Sequence, residues 1–141
     1  MAQHETVDEV MTRNPIALPE TAPALEAARK MRDAGIGDVV MLTGNVVSGI
    51  VTDRDIIVRC IAEGRDPRST TLGEIASRDL TTMAPGDKIS TAVRLMRERA
   101  IRRLPVVKDG RPVGILTIGD LAVQNDPDSA LAAVSAARPN V

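Results

Sequence analysis

Gly49-Ile50-Val51-Thr52-Asp53-Arg54-Asp55 and Gly114-Ile115-Leu116-Thr117-Ile118-Gly119-Asp120 stand 65 residues apart and share the pattern Gly-Ile-x-Thr-x-x-Asp. Outward from these two stretches the chain aligns with itself at that same offset. Residues 7–56 lie over 72–121 without a gap, and 11 of the 50 columns are identical. Arg29 matches Arg94, Met31 matches Met96, Arg32 matches Arg97 and Ile36 matches Ile101. Self-similarity at a fixed offset is the signature of a duplicated supersecondary unit.

Both copies carry the same local signals in the same order. A short extended segment, Ile16-Ala17-Leu18 or Leu80-Thr81-Thr82-Met83, precedes a helix with apolar residues at helical spacing. Those residues are Ala24, Ala27, Ala28 and Met31 in the first copy, and Ile89, Ala92, Val93 and Met96 in the second. Pro23 suits a helix start, where a missing N–H costs little, and Asp87 is the expected N-cap of the second helix. Ala34-Gly35 and Arg99-Ala100 mark the exits. Two apolar runs follow across a turn pair, Val39–Leu42 to Val46-Val47 over Gly44-Asn45, and Leu104–Val107 to Val113–Leu116 over Asp109-Gly110, which predicts hairpins. A second helix is expected from Asp53 to Glu63, ending at Gly64, and from Gly119 to about Asn125, before Pro127.

The expected fold class is therefore α+β, with two β-α-β-β-α repeats. About 50 residues cannot bury both faces of a three-stranded sheet, so the repeats are expected to pack sheet to sheet with pseudo-two-fold symmetry. The expected boundaries are residues 7–64 for the first repeat, 65–71 for a polar linker and 72–126 for the second repeat. Residues 127–141 are read as a short Ala-rich helix behind Asp128-Ser129, followed by a loose tail.

Composition narrows the function. No Phe, Tyr or Trp is present, so the stacking platforms of single-strand nucleic-acid binders are missing, and the net charge of -1 argues against a dedicated polyanion binder. The Arg94–Arg103 stretch is read as a solvated face, broken by Glu98 and Met96. No apolar run approaches the roughly 20 residues that span a bilayer, and an acidic start without a signal-like stretch points to a cytoplasmic protein. Nothing suggests an enzyme or a metal site. His4 is the single histidine, Cys60 lies on an apolar helix face, and Asp53 and Asp55 are two apart and diverge on a helix.

The chemistry that stands out is Thr52 with Asp55, and Thr117 with Asp120, each where a strand hands over to a helix. Free N–H groups and the positive dipole end suit a phosphate there, and an Asp in the first turn can accept both hydroxyls of a ribose. The same residues also fit a plain role as helix caps. The copies differ in equipment. Arg102 and Arg103 precede the second hairpin, whereas Gly37 and Asp38 occupy the matched positions of the first, with Arg54 as a compensating cation.

Val10-Met11-Thr12-Arg13, Ala92-x-x-x-Met96-Arg97, Arg103-Leu104-Pro105-Val106-Val107 and the two Gly-Ile-x-Thr-x-x-Asp motifs together resemble the CBS-domain pair, or Bateman module, from Val7 to Asn125. That resemblance implies a sensor without a reaction of its own and with no obligatory cofactor. It would bind AMP, ADP, ATP, S-adenosylmethionine or a NAD-type ligand in the cleft between the repeats. Thr52, Arg54, Thr117, Arg102 and Arg103 would serve phosphate or ribose, Asp55 and Asp120 the ribose diol, with the adenine between apolar strand residues and Ile16, Ala17 and Thr82 also in the nucleotide site. It further implies a homodimer acting on an unidentified partner protein. The alternative is a ligand-free homodimeric interaction module.

Overall fold

A computed structural model of the chain describes residues 5–77, 79–125 and 128–137. It is α+β, with two three-stranded sheets. The first holds β2 (Ala17–Pro19), β3 (Asp38–Thr43) and β4 (Val46–Thr52) in the order β2-β3-β4, with β2 parallel and β4 antiparallel to β3. The second is ordered β1-β6-β5, from β1 (Thr12–Arg13), β5 (Arg103–Lys108) and β6 (Arg111–Thr117), all antiparallel neighbours. Both hairpins form as their turn pairs dictate, with Gly44 at φ 62° and Asp109 and Gly110 at φ 53° and 79°.

Helix α1 (Ala24–Ala34) buries Ala24, Ala27 and Met31, the face its spacing predicts, and ends at Gly35 in the left-handed region at φ 64°. Its counterpart α4 (Ile89–Arg99) buries Ile89, Ala92 and Met96, but closes on Ala100 at φ 53°, where a Cβ is strained. Pro23 is the residue before α1 and has no side-chain acceptor for the helix's free amides. The stretch expected as a linker supplies them instead: Ala24 N–H donates to the Thr70 carbonyl at 2.8 Å and Leu25 N–H to that of Pro67 at 3.0 Å.

Several expectations need correction. Asp87 does not cap α4; Lys88 takes that position, and the Asp87 carboxylate instead accepts the Ala84 N–H at 2.8 Å within a tight turn. Leu80–Met83 forms no strand, only one parallel bridge between Met83 and Val106. The helix after β4 runs as α2 (Asp53–Ile56) for one turn, then loosens to π geometry over Ile57–Ile61 before Gly64 turns at φ 71°. After β6, α5 (Ile118–Asn125) forms as expected, and α6 (Ala130–Ala136) starts at Ser129, whose hydroxyl accepts the Ala132 N–H at 3.0 Å.

The compact units do not coincide with the sequence repeats. One unit runs from Ile16 to Leu80; the other joins the segment ending at Pro15 to the chain from Thr81 onward. Each repeat's first residues have crossed to the other repeat's sheet. Thr12 pairs with Ile115, and 65 residues on, Ser77 pairs with Ile50; Leu18 pairs with Met41, and 65 residues on, Met83 pairs with Val106. The exchanged apolar residues are core: Leu72 and Ile75, on α3 (Leu72–Ile75), pack with Met41, Val51 and Cys60, while Val7 and Met11 pack with Leu104, Val106 and Leu116.

That crossing explains the glycine of each Gly-Ile-x-Thr-x-x-Asp motif. A Cβ on Gly49 would stand 3.0 Å from the Ser77 carbonyl oxygen and 3.0 Å from the Met41 methyl. On Gly114 it would stand 2.9 Å from the Thr12 carbonyl oxygen and collide with the Met11 sulfur. Only glycine lets the incoming segment lie this close.

Candidate functional site

The two junctions fall out of β-register. Thr52 ends β4 opposite Asp38, and Thr117 ends β6 opposite Arg103. The Val40 N–H donates to the Ile16 carbonyl at 2.9 Å and Ala17 pairs with Val40, so Ile16 and Ala17 lie towards the Thr52 end of their sheet. Thr82, exposed and next to the bridging Met83, lies at the matching end of the other sheet. Each unit thus gathers its own share of the expected residues: Ile16, Ala17, Thr52, Arg54 and Asp55 in one, Thr82, Arg102, Arg103, Thr117 and Asp120 in the other.

At both junctions Thr and Asp form reciprocal caps. Thr52 Oγ1 accepts the Asp55 N–H at 3.1 Å while Asp55 Oδ2 accepts the Thr52 N–H at 2.9 Å; the corresponding distances for Thr117 and Asp120 are both 3.0 Å. This capping box satisfies amides that the helix cannot and places an acid at its positive end. It commits only one carboxylate oxygen of each Asp. The other oxygen of Asp55 lies 3.9 Å from Arg59 Nε, whereas that of Asp120 accepts the Thr12 hydroxyl at 3.1 Å. Thr12 was not among the expected site residues, because 108 positions separate it from Asp120 and only the crossing of the first residues joins them.

The basic candidates are arranged unequally. Ile118 N–H donates to the Arg102 carbonyl at 3.1 Å, as Asp53 N–H does to that of Gly37 at 3.0 Å, so positions 37 and 102 both adjoin a helix start. Arg54 is exposed, and its backbone N–H donates to Asp53 Oδ1 at 2.8 Å. Arg94, Arg97 and Arg99 are exposed on α4, with Arg94 near Glu98 at 4.0 Å and Arg99 donating to the Thr81 hydroxyl at 2.9 Å. Met96 between them is buried. Cys60 is fully buried, and Asp53 and Asp55 accept different amides and form no pair. No group of three potential metal-ligating His, Cys, Asp or Glu side chains occurs among the described residues, and His4 lies outside them. No helix among the described residues is long and apolar enough to cross a membrane.

Comparison with known proteins matches this architecture. The family model "CBS domain" matches twice, over residues 7–61 and 72–123. An uncharacterized protein of Methanopyrus kandleri, MK0525, is 36% identical over 118 residues; the match covers 82% of this chain and 60% of that protein's length. The CBS domain-containing protein YhcV of Bacillus subtilis is also 36% identical over 118 residues, with 84% of each chain covered. Among solved structures, Hypoxic Response Protein I, crystallised with two coordinated zinc ions, superposes with a TM-score of 0.74 at 31% identity, covering 83% of this chain and 96% of that one. The CBS domain pair of MJ0100, in complex with 5′-methylthioadenosine and S-adenosyl-L-methionine, superposes with a TM-score of 0.73 at 25% identity, covering 83% and 92%. With two family-model matches spanning most of its length and 84% of YhcV covered, this chain belongs to the CBS-domain family, as a tandem CBS pair.

Proposed function

We propose that this CBS pair is a regulatory module that binds an adenosine-containing ligand at its Thr/Asp junctions and passes the binding event on through a change in shape or partner affinity. The observation that carries this reading is the spare carboxylate oxygen of Asp55 and Asp120. A helix cap needs one acceptor, and Oδ2 supplies it; Oδ1 is held only by side chains that can exchange it for a ribose hydroxyl. The MJ0100 pair, bound to two adenosine derivatives, supports the ligand class. The output is linkage: a ligand that prefers one conformation raises its population, and a partner preferring the same conformation then binds more tightly. Ultrafiltration of the protein with AMP, ATP, S-adenosylmethionine or NADH tests this directly by ligand absorbance, since the chain has no aromatic residue to contribute background. Saturable retention of one of them is the expected result; passage of all of them at millimolar concentration would leave the junctions as caps.

A second reading, a homodimeric interaction module, rests on a separate observation. Ile57, Val58 and Ile61 are 58%, 40% and 49% exposed along the helix that follows β4. Apolar side chains clustered in this way mark contact surfaces more often than bare ones. Ile57→Glu is expected to convert a dimer to monomer in sedimentation velocity without lowering the melting temperature of the monomer. An unchanged sedimentation coefficient would remove this helix from the contact.

A further inference from the structure

Helix α6 packs on α5, and at the 65-residue offset it falls on residues 65–71, which form no helix, so this element belongs to the second copy alone. Its seat is made of small residues: α5 carries Gly119 and Ala122 where the helix after β4 carries Arg54 and Ile57. A Cβ on Gly119 would stand 2.5 Å from Ser135 Oγ, 3.0 Å from Ser135 Cβ and 3.5 Å from Thr117 Oγ1. Ser135 thus fills the space that corresponds to the Arg54 side chain at the first junction, beside the hydroxyl of the capping Thr. The hold on α6 is slight. Ala132 is buried, whereas Leu131 and Val134 are exposed, so little apolar area keeps the helix in place. Seven residues are too few for a helix to persist without packing, so α6 either sits on α5 or unravels.

Resting on the nucleotide reading above, we infer that α6 is an autoinhibitory lid on the second junction. Closed, it sets Ser135 against Gly119 and keeps a ligand from Thr117 and Asp120, so that binding there requires α6 to leave. The affinity of this junction is its intrinsic affinity scaled by the fraction of molecules with α6 released. By the same linkage a bound ligand holds α6 off, and the freed C-terminal segment is the conformational output of the module. The first junction, where Arg54 is exposed, binds without that cost.

Backbone amide resonances report each event in the intact chain: Arg102 and Ile118 the second junction, Gly37 and Asp53 the first, Ala132 and Ala133 the state of α6. Ala132→Glu detaches α6, because a carboxylate cannot take the place of the buried methyl group. In that variant the affinity of the second junction for AMP or 5′-methylthioadenosine is expected to rise at least fivefold, with the first changed less than twofold. In the unmodified chain, saturating the second junction is expected to move Ala132 and Ala133 to unfolded positions. The 3.0 Å between the two Cβ positions is slightly under disulfide spacing, so Gly119→Cys with Ser135→Cys closes a cross-link after a small outward shift of α6. Cys60 is fully buried and does not compete. Oxidised, this variant is expected to show no response at Arg102 and Ile118; reduced, the response returns. It decides the matter if Ala132→Glu does not fold. No gain on detaching α6, a response in the cross-linked protein, or a second junction silent in every variant while the first responds, overturns the inference and leaves the nucleotide reading standing. No response of either junction to either ligand, in any variant, overturns both.

Discussion

Gly114→Ala is expected to destabilise the protein by about 2 kcal/mol, within the range for overpacking a closely fitted site. The added methyl group has no free direction. It meets the Met11 side chain on one side and, at 2.9 Å, the Thr12 carbonyl oxygen on the other, and that oxygen belongs to a backbone paired with Ile115. Moving β1 away from β6 breaks the pairing that holds Val7 and Met11 in the core beside Leu104 and Leu116. Gly49→Ala is expected to cost less, because both of its nearest contacts are at 3.0 Å and one is the end of a flexible Met41 side chain. Urea denaturation of the two variants measures the difference. Met11→Ala in the Gly114→Ala background should recover part of the loss, a coupling that residues without contact do not show. Equal, small effects at both glycines would mean that the crossing segments are not held against β4 and β6.

Leu72→Ala is expected to cost about 3 kcal/mol, the usual range for emptying a fully buried leucine site. Where that loss appears is the more informative result. By sequence Leu72 opens the second repeat, yet it is completely buried in the cluster of Met41, Val51, Ile56 and Cys60, which belongs to the first repeat's sheet. Its N–H donates to the Ala22 carbonyl at 2.9 Å, ahead of α1. Native-state hydrogen exchange should therefore show lost protection in β3 and β4, at Val40, Val51 and their neighbours, with β5 and β6 less affected. Protection lost mainly from β5 and β6 would contradict the exchange of segments between the repeats.

The exchange marks the limit of what the amino-acid sequence discloses. Hairpins were legible because their signals are local: Gly44-Asn45 and Asp109-Gly110 have the turn chemistry, and Val39–Leu42 and Leu104–Val107 beside them are continuous apolar runs of strand length, buried at their centres. The helix faces were legible for the same reason, since Ala24, Ala27 and Met31 recur at helical spacing. A 65-residue offset, however, looks the same whether Thr12 pairs within its own repeat or with Ile115, because two residues of strand carry no pairing code. Asp87 looked like a cap by type, but its carboxylate had a nearer donor in the Ala84 amide. The π turn at Ile57–Ile61 has no Gly or Pro to announce it.

At the candidate site the motif residues were readable and their inequivalence was only half so. The contrast between Gly37-Asp38 and Arg102-Arg103 is present in the letters. That the Asp53 carboxylate lies over Gly37 and holds the Arg54 amide is a matter of three-dimensional placement, as is the Thr12 hydroxyl on Asp120. Arg54, the cation expected to compensate for Asp38, has its backbone N–H on the Asp53 carboxylate.

The role of Asp55 and Asp120 separates a ligand-binding pair from a capped scaffold, and asparagine separates those roles chemically. Asn keeps one side-chain oxygen for the Thr52 or Thr117 amide, so the cap survives, but its other position becomes an NH2 donor and the spare acceptor for a ribose hydroxyl is lost. The measurement to make is isothermal titration of AMP and 5′-methylthioadenosine into the unmodified chain, Asp55→Asn and Asp120→Asn, with melting curves on the same samples. The account predicts that melting temperatures stay within about 2 °C of one another, as expected for a retained cap. It also predicts that the affinity of the ligand that binds falls at least tenfold at the altered junction. Binding unaffected by either substitution, or no binding to the unmodified chain at all, would contradict it.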